Sequence, residues 1–171
     1  MRHVSGKYVQ GELLDNIREI EDWITDYAVA NSHEVSDATL RADMDRRVRD
    51  ASFGRNAVMF DDKNYPSIMV RFPFTRLIDL NSNWGNAPHE AFIQNGVTKN
   101  EFWAGKYLPI VVGSGADARA VSLRRRDPKH TIDFDNSWKA CIQKGAGWHL
   151  LTNAEWALIL MKAHKTQWFC R

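Results

Sequence analysis

The segment Asp79-Leu-Asn-Ser-Asn-Trp-Gly-Asn-Ala-Pro-His-Glu90 carries the spacing nearest to a metal site in this sequence. Oxygen side chains stand at loop positions one, three and five and a Glu at position twelve, as in a calcium-binding EF-hand loop. Position six, where the sharp turn needs Gly, is Trp84, and the flanks carry no helical period. An Asn-rich surface loop is therefore the plainer expectation for Asp79–Glu90.

Other clusters give less. Gly113-Ser-Gly-Ala-Asp117 lacks the Lys and the helix start of a phosphate loop and reads as a turn. Gly145-Ala-Gly147 precedes a helix, but Thr152 and Glu155 occupy its first donors, and that carboxylate repels an anion. Arg124, Arg125 and Arg126 make a basic loop, either solvated or facing an acidic surface. Cys141 and Cys170 have no zinc-type spacing and read as reduced thiols, although they could pair. The six His are scattered. His149, between Trp148 and Leu150, suits a core or hydrogen-bonded position rather than that of a ligand. No Ser-His-Asp or Cys-His order with a nucleophile elbow is present. No catalytic residue, metal site or cofactor is assigned, and a non-enzymatic chain is expected.

The composition narrows the class. The 171 residues, 44% hydrophobic and 26% charged, fit a soluble globular domain with an appendage. A formal charge of +2 is too small to point to nucleic acid or an anionic membrane. No apolar run reaches membrane-spanning length, and Met1-Arg-His-Val-Ser-Gly6 lacks the apolar stretch of a secretory signal. Seven Trp is heavy for this length and suggests aromatic filling of a loop-rich core.

The elements follow from periodicity. Leu13, Ile17, Ile20, Ile24 and Tyr27 recur at alternating four- and three-residue steps, an a/d rhythm within a helix over Glu12–Tyr27. So short a seam needs a partner, either the next helix or a second copy of the chain. Ser36 or Asp37 caps a second helix to about Ala51, with Leu40, Met44, Val48 and Ala51 on one face. Residues 1–56 thus read as a helical hairpin or assembly module, with Ser52–Asn56 as linker. Beyond it the period shortens. Ala57–Phe60 reads as a strand, Asp61–Asn64 as a turn, and Pro66–Phe74 as a half-buried strand ending at Pro73. Phe102–Val112 is a further strand region. Asp133 caps a helix with Phe134, Trp138, Cys141 and Ile142 on one face.

The strongest local signal is the start of the last helix. Thr152-Asn-Ala-Glu155 spells a capping box, flanked by Leu151 and Trp156 as a hydrophobic staple. Residues Trp156–Ala163 are apolar nearly all round, which predicts a buried helix covered by its own chain or by another. The overall expectation is an α+β protein.

Three blocks carry a resemblance: Phe102-Trp-Ala-Gly-Lys-Tyr107, Phe134-Asp-Asn-Ser-Trp-Lys-Ala-Cys141 and Gly147-Trp-His-Leu-Leu-Thr-Asn-Ala-Glu-Trp156. In this order they resemble the formylglycine-generating-enzyme-like branch of the C-type lectin fold. There, an Arg-Leu-Pro-Thr-Glu-Ala-Glu-Trp segment opens the second helix. Thr152, Ala154, Glu155 and Trp156 match it; the Arg, the Pro and the first Glu are changed. Tyr65–Phe74, His89-Glu-Ala-Phe-Ile93 and Asp127-Pro128 look like recurring segments of phage and prophage tail-associated proteins of that superfamily. Its members include tail receptor-binding proteins and the variable proteins of diversity-generating retroelements.

The resemblance covers residues 57–164 and implies a partial or minimal C-type-lectin-like domain over 57–171. The sequence ends at Arg171, just past the second helix of that fold, so none of the family's functional residues carries over to a position here. The implied role is a phage-derived virion or tail component, made in the bacterial cytoplasm. It would self-assemble through the Leu13–Tyr27 stripe and contact another virion or host protein. Two alternatives are a degenerate or split formylglycine-generating-type oxidase, binding copper through Cys141 and Cys170, and an intracellular protein-binding regulator.

Overall fold

The computed structural model describes residues 6–165, with side-chain surroundings from Leu14 onward. It is an α+β protein. Helices α1 (Gly6–Ala30) and α2 (Ala38–Ala51) are followed by strands β1 (Asn56–Phe60) and β2 (Pro66–Pro73) and a short helix α3 (Leu77–Leu80). Strands β3 (Ile93–Gln94), β4 (Val97–Thr98), β5 (Glu101–Gly105), β6 (Ile110–Val112) and β7 (Arg119–Val121) come next. Helices α4 (Phe134–Ile142) and α5 (Asn153–Lys165) close the described chain. Strands β1, β2 and β5 form one sheet in that order, and β3–β4 and β6–β7 are separate antiparallel pairs.

The chain divides into two compact units, and the division is not the expected one at residue 56. The first unit comprises residues 1–70 and 105–149, the second 71–104 and 150–171. The physical reason lies in what the N-terminal helices pack on. Ile24, Val35, Met44 and Val48 share one buried cluster with Val58 of β1, and Ile20, Tyr27, Leu40 and Phe60 pack against it. Polar contacts reinforce this, because Asp45 on α2 accepts from the Val58 backbone N–H at 3.0 Å. Nor is Ser52–Asn56 a loose linker: the Ser52 hydroxyl accepts from Asn56 N–H at 2.9 Å, closing a tight turn. The helices are therefore part of the first unit's core.

The apolar stripe on α1 is correspondingly reassigned. Ile24 is fully buried and Ile17 nearly so, and Ile20 and Tyr27 pack on the same internal cluster. Leu13 lies outside the residues whose side chains are described. Ile20, Ile24 and Tyr27 of the stripe pack with α2 and β1 inside the first unit. The buried positions of α1 are Ile17, Glu21, Ile24, Thr25 and Ala28. Among the described residues this face keeps Ile17 and Ile24 of the expected stripe and adds Glu21, Thr25 and Ala28 on one side of it, with Ile20 and Tyr27 at its edge.

Glu21 stands within that buried face with no exposed surface. Lys106 donates to Oε1 at 2.7 Å and the Tyr107 hydroxyl to Oε2 at 2.6 Å. Burial and the Glu21 carboxylate hold the Tyr107 phenol well above its usual value, so it stays a donor. Four residues after Ile24, Ala28 joins a second cluster with Val121 and Leu123, lined by Tyr65, Ile110 and Val112.

The second unit has an aromatic core. Phe72 and Phe102 stack with ring centroids 5.0 Å apart, and Phe92 is tilted against both Phe102 and Phe74. Leu158 of α5 is buried among them. The β3–β4 hairpin turns on Asn95 and Gly96, with φ of 52° and 78°. This is the turn in which both central residues need positive φ and for which Asn-Gly is the preferred pair.

Removing one member of a buried charge pair strands its partner and costs about 3–5 kcal/mol, whereas an exposed pair contributes at most about 1 kcal/mol. Glu21→Ala should therefore lower the unfolding free energy by about 3 kcal/mol in urea. Lys63→Ala, which removes the surface pair with Asp117, should change it by less than about 1 kcal/mol. Equal, small effects would contradict the role given to Glu21.

Candidate functional site

In the second unit, α5 begins with the expected reciprocal cap. The Thr152 backbone N–H donates to Glu155 Oε2 at 2.8 Å, and Glu155 N–H donates back to Thr152 Oγ1 at 3.2 Å. The Thr152 hydroxyl also donates to Glu155 Oε2 at 3.1 Å, and Glu155 is buried by this arrangement. Two of the orphan N-terminal donors are thereby satisfied without solvent.

The rest of α5 departs from the expectation of a helix buried all round. Leu158 and Ala163 face inward, while Trp156 is 53% exposed, Leu160 40% and Leu151 42%. Trp156 and Leu160 stand four residues apart, so they share one outward stripe. An indole half in water is an amphipathic anchor of the kind enriched at protein contacts. In the first unit α4 also carries exposed aromatics. Asp133 caps it, accepting from Asn136 N–H at 2.8 Å. Phe134 and Trp138 nevertheless point outward, at 73% and 46% exposure, and Ala140 is the buried residue.

The other sequence candidates are used locally. Asp79 Oδ2 accepts from Arg76 N–H at 2.9 Å, Asn81 Oδ1 from Asn83 N–H at 3.0 Å, and Asn86 Oδ1 from the Arg76 guanidinium at 3.0 Å. The side-chain oxygens of Asp79 and Asn81 thus serve local turns, and that of Asn86 meets a cation already present. Among the described residues no group of three or more His, Cys, Asp or Glu is placed to hold a metal. His89 is buried, its Nδ1 accepts from Ala91 N–H at 3.2 Å, and burial pushes its imidazole below the usual value. His149 is exposed, and its Nδ1 lies 3.3 Å from the Gly147 carbonyl oxygen, the hydrogen-bonded rather than the core position.

The basic loop meets an acidic surface on its own chain. Arg124 and Arg125 both pair with Asp22, and Arg125 also reaches Asp26 at 2.9 Å. Cys141 is partly covered, and burial pushes its thiol up, away from the thiolate form that binds copper. Cys170 lies outside the described residues.

One polar arrangement has no counterpart in the sequence patterns. Lys144, 2% exposed, donates from Nζ to Ser67 Oγ at 2.7 Å and to the Ala120 carbonyl at 2.6 Å. Its ammonium lies 3.7 Å from the centre of the Trp148 ring. A hydroxyl beside an amine is the pairing of a Ser–Lys nucleophile. Here Ser67 is only 1% exposed, so both groups are shut away from a substrate and the pair acts as a structural tie. Spacing gives no warning of it, because 77 residues separate the partners.

Burial pushes the Lys144 ammonium down to about 8; Asp61 and Cys141 oppose the shift and Arg119 adds to it. No described helix is long and apolar enough to cross a membrane. The chain matches no family model and no curated protein.

The sign of the resulting pH dependence is fixed by linkage. Between about 8 and the ordinary 10.5, the unfolded chain carries the Lys144 proton and the folded chain does not. Stability should rise with pH across that window. Relative to Lys144→Met, the wild-type unfolding free energy should gain about 2 kcal/mol between neutral pH and the top of the window. A pH-independent difference between the two proteins would contradict a charged, buried Lys144.

Proposed function

We propose that this chain is a non-enzymatic assembly and binding protein, a phage-derived virion or tail component whose strand-containing part is a minimal C-type-lectin-like domain. The observation that carries the assembly reading is the outward stripe of Trp156 and Leu160 on a helix otherwise anchored in a core, with the exposed Leu151 just before it. The phage and lectin-like parts rest on the sequence blocks around Phe102, Phe134 and Thr152.

The first occupant of the stripe is a second copy of the chain. Residues spaced i and i+4 on one helix are self-complementary when two such helices meet antiparallel about a two-fold axis. Of the Leu13–Tyr27 stripe, Ile17, Ile20, Ile24 and Tyr27 are buried or packed within the first unit. The α5 stripe replaces it. Contact with another virion or host protein is the further role proposed for the assembled form.

Sedimentation velocity over a wide concentration range tests this reading. The wild type should self-associate, and Trp156→Ala with Leu160→Ala should weaken the association roughly tenfold or more. Both residues being half-exposed, the melting temperature should change little. A wild type that stays monomeric at high concentration, or a variant that associates as strongly, would overturn it.

A further inference from the structure

The Arg124–His130 loop uses its charges unevenly. Arg124 and Arg125 are occupied by Asp22 and Asp26. Arg126 and Lys129 make no side-chain hydrogen bond or ion pair with any described residue, yet both line a cleft of about 350 Å³. Its apolar wall is β6, Ile110–Val112. His33 also lines the cleft, and its Nε2 is buried without a hydrogen-bond partner among the described residues. A buried polar atom left unpaired costs about 1–3 kcal/mol. Two unpaired cations beside an apolar wall add mutual repulsion. A single anion would relieve both.

We propose that this cleft binds a small organic monocarboxylate, with its carboxylate held by Arg126, Lys129 and His33 Nε2 and its apolar body on the β6 wall. The planar guanidinium fork matches a carboxylate in shape and charge. Asp127, on the same lining, repels a doubly charged phosphate more strongly than a singly charged carboxylate. The apolar wall has nothing to offer inorganic phosphate but suits a hydrocarbon ring or chain.

His33 supplies a readout separate from affinity. The groups facing it are Arg126, Asp127, Lys129 and His130 of the loop and the Tyr65 ring, 6.5 Å away. Burial pushes its imidazole down and Arg126 adds to this, with the Ser32 backbone opposing. A bound carboxylate offsets Arg126 and favours the protonated ring, in which Nε2 is a donor.

The test is a titration of the full chain with benzoate, followed by the ring signals of His33 in NMR and repeated with inorganic phosphate. Benzoate should saturate at millimolar concentrations and raise the His33 pKa. Arg126→Met, a change on an exposed loop residue, should leave the backbone spectrum in place and weaken benzoate roughly tenfold. The proposal is overturned if benzoate does not saturate, if Arg126→Met binds it equally well, or if phosphate binds more tightly than benzoate.

Discussion

A carboxylate with no exposed surface constrains the first unit more than any apolar contact does. Glu21 comes out of water as α1 packs, at a cost of several kcal/mol for an unpaired ion. Lys106 and Tyr107 remove that cost only if α1 lies against the segment that follows β5. Once it does, Ile24 enters the cluster with Met44, Val48 and Val58, and Ala28 enters the one with Val121 and Leu123. The two clusters draw on elements from both ends of the unit, so the pairing at Glu21 couples their formation. The pairs of Asp22 and Asp26 with Arg124 and Arg125, partly or fully open to water, run along the same helix and contribute less each.

Lys144 shows the complementary solution. Glu21 is balanced by an opposite charge, whereas the Lys144 ammonium is held by a hydroxyl, a carbonyl and the face of an indole. Neutral oxygens and a ring satisfy its geometry without cancelling its charge, so burial shows as a lowered pKa. The Glu21 carboxylate and the Lys144 side chain are both shut off from solvent.

The features legible in the sequence are those whose physics is local. Asp37, Asp133 and the Thr152–Glu155 pair start helices because a side chain two or three residues away meets an orphan backbone donor. The strand at Pro66–Pro73 is equally plain from alternation, although β2 lies between β1 and β5 and its first four residues are all buried. Asn95-Gly96 was an available hairpin signal that the metal-loop reading of the preceding segment obscured. The illegible features depend on distant partners. Nothing near Glu21 in sequence announces Lys106, 85 residues on. The heptad rhythm of α1 named several correct residues but centred them on the wrong face. On α4, aromatic spacing identified a stripe without saying whether it faces core or solvent.

The same limit explains why the helices first read as a separable module. Their apolar stripes are thin, and a thin stripe fits a small bundle as well as one layer of a larger unit. The buried acid decides for the larger unit. Native-state hydrogen exchange tests that claim most directly. The amides of α1 around Ile24 and those of β1 and the first half of β2 should open with one common free energy, equal to that of global unfolding. If α1 and α2 exchange through a lower-energy opening while β1 and β2 remain protected, the helices are an independent module and the account built on Glu21 is wrong.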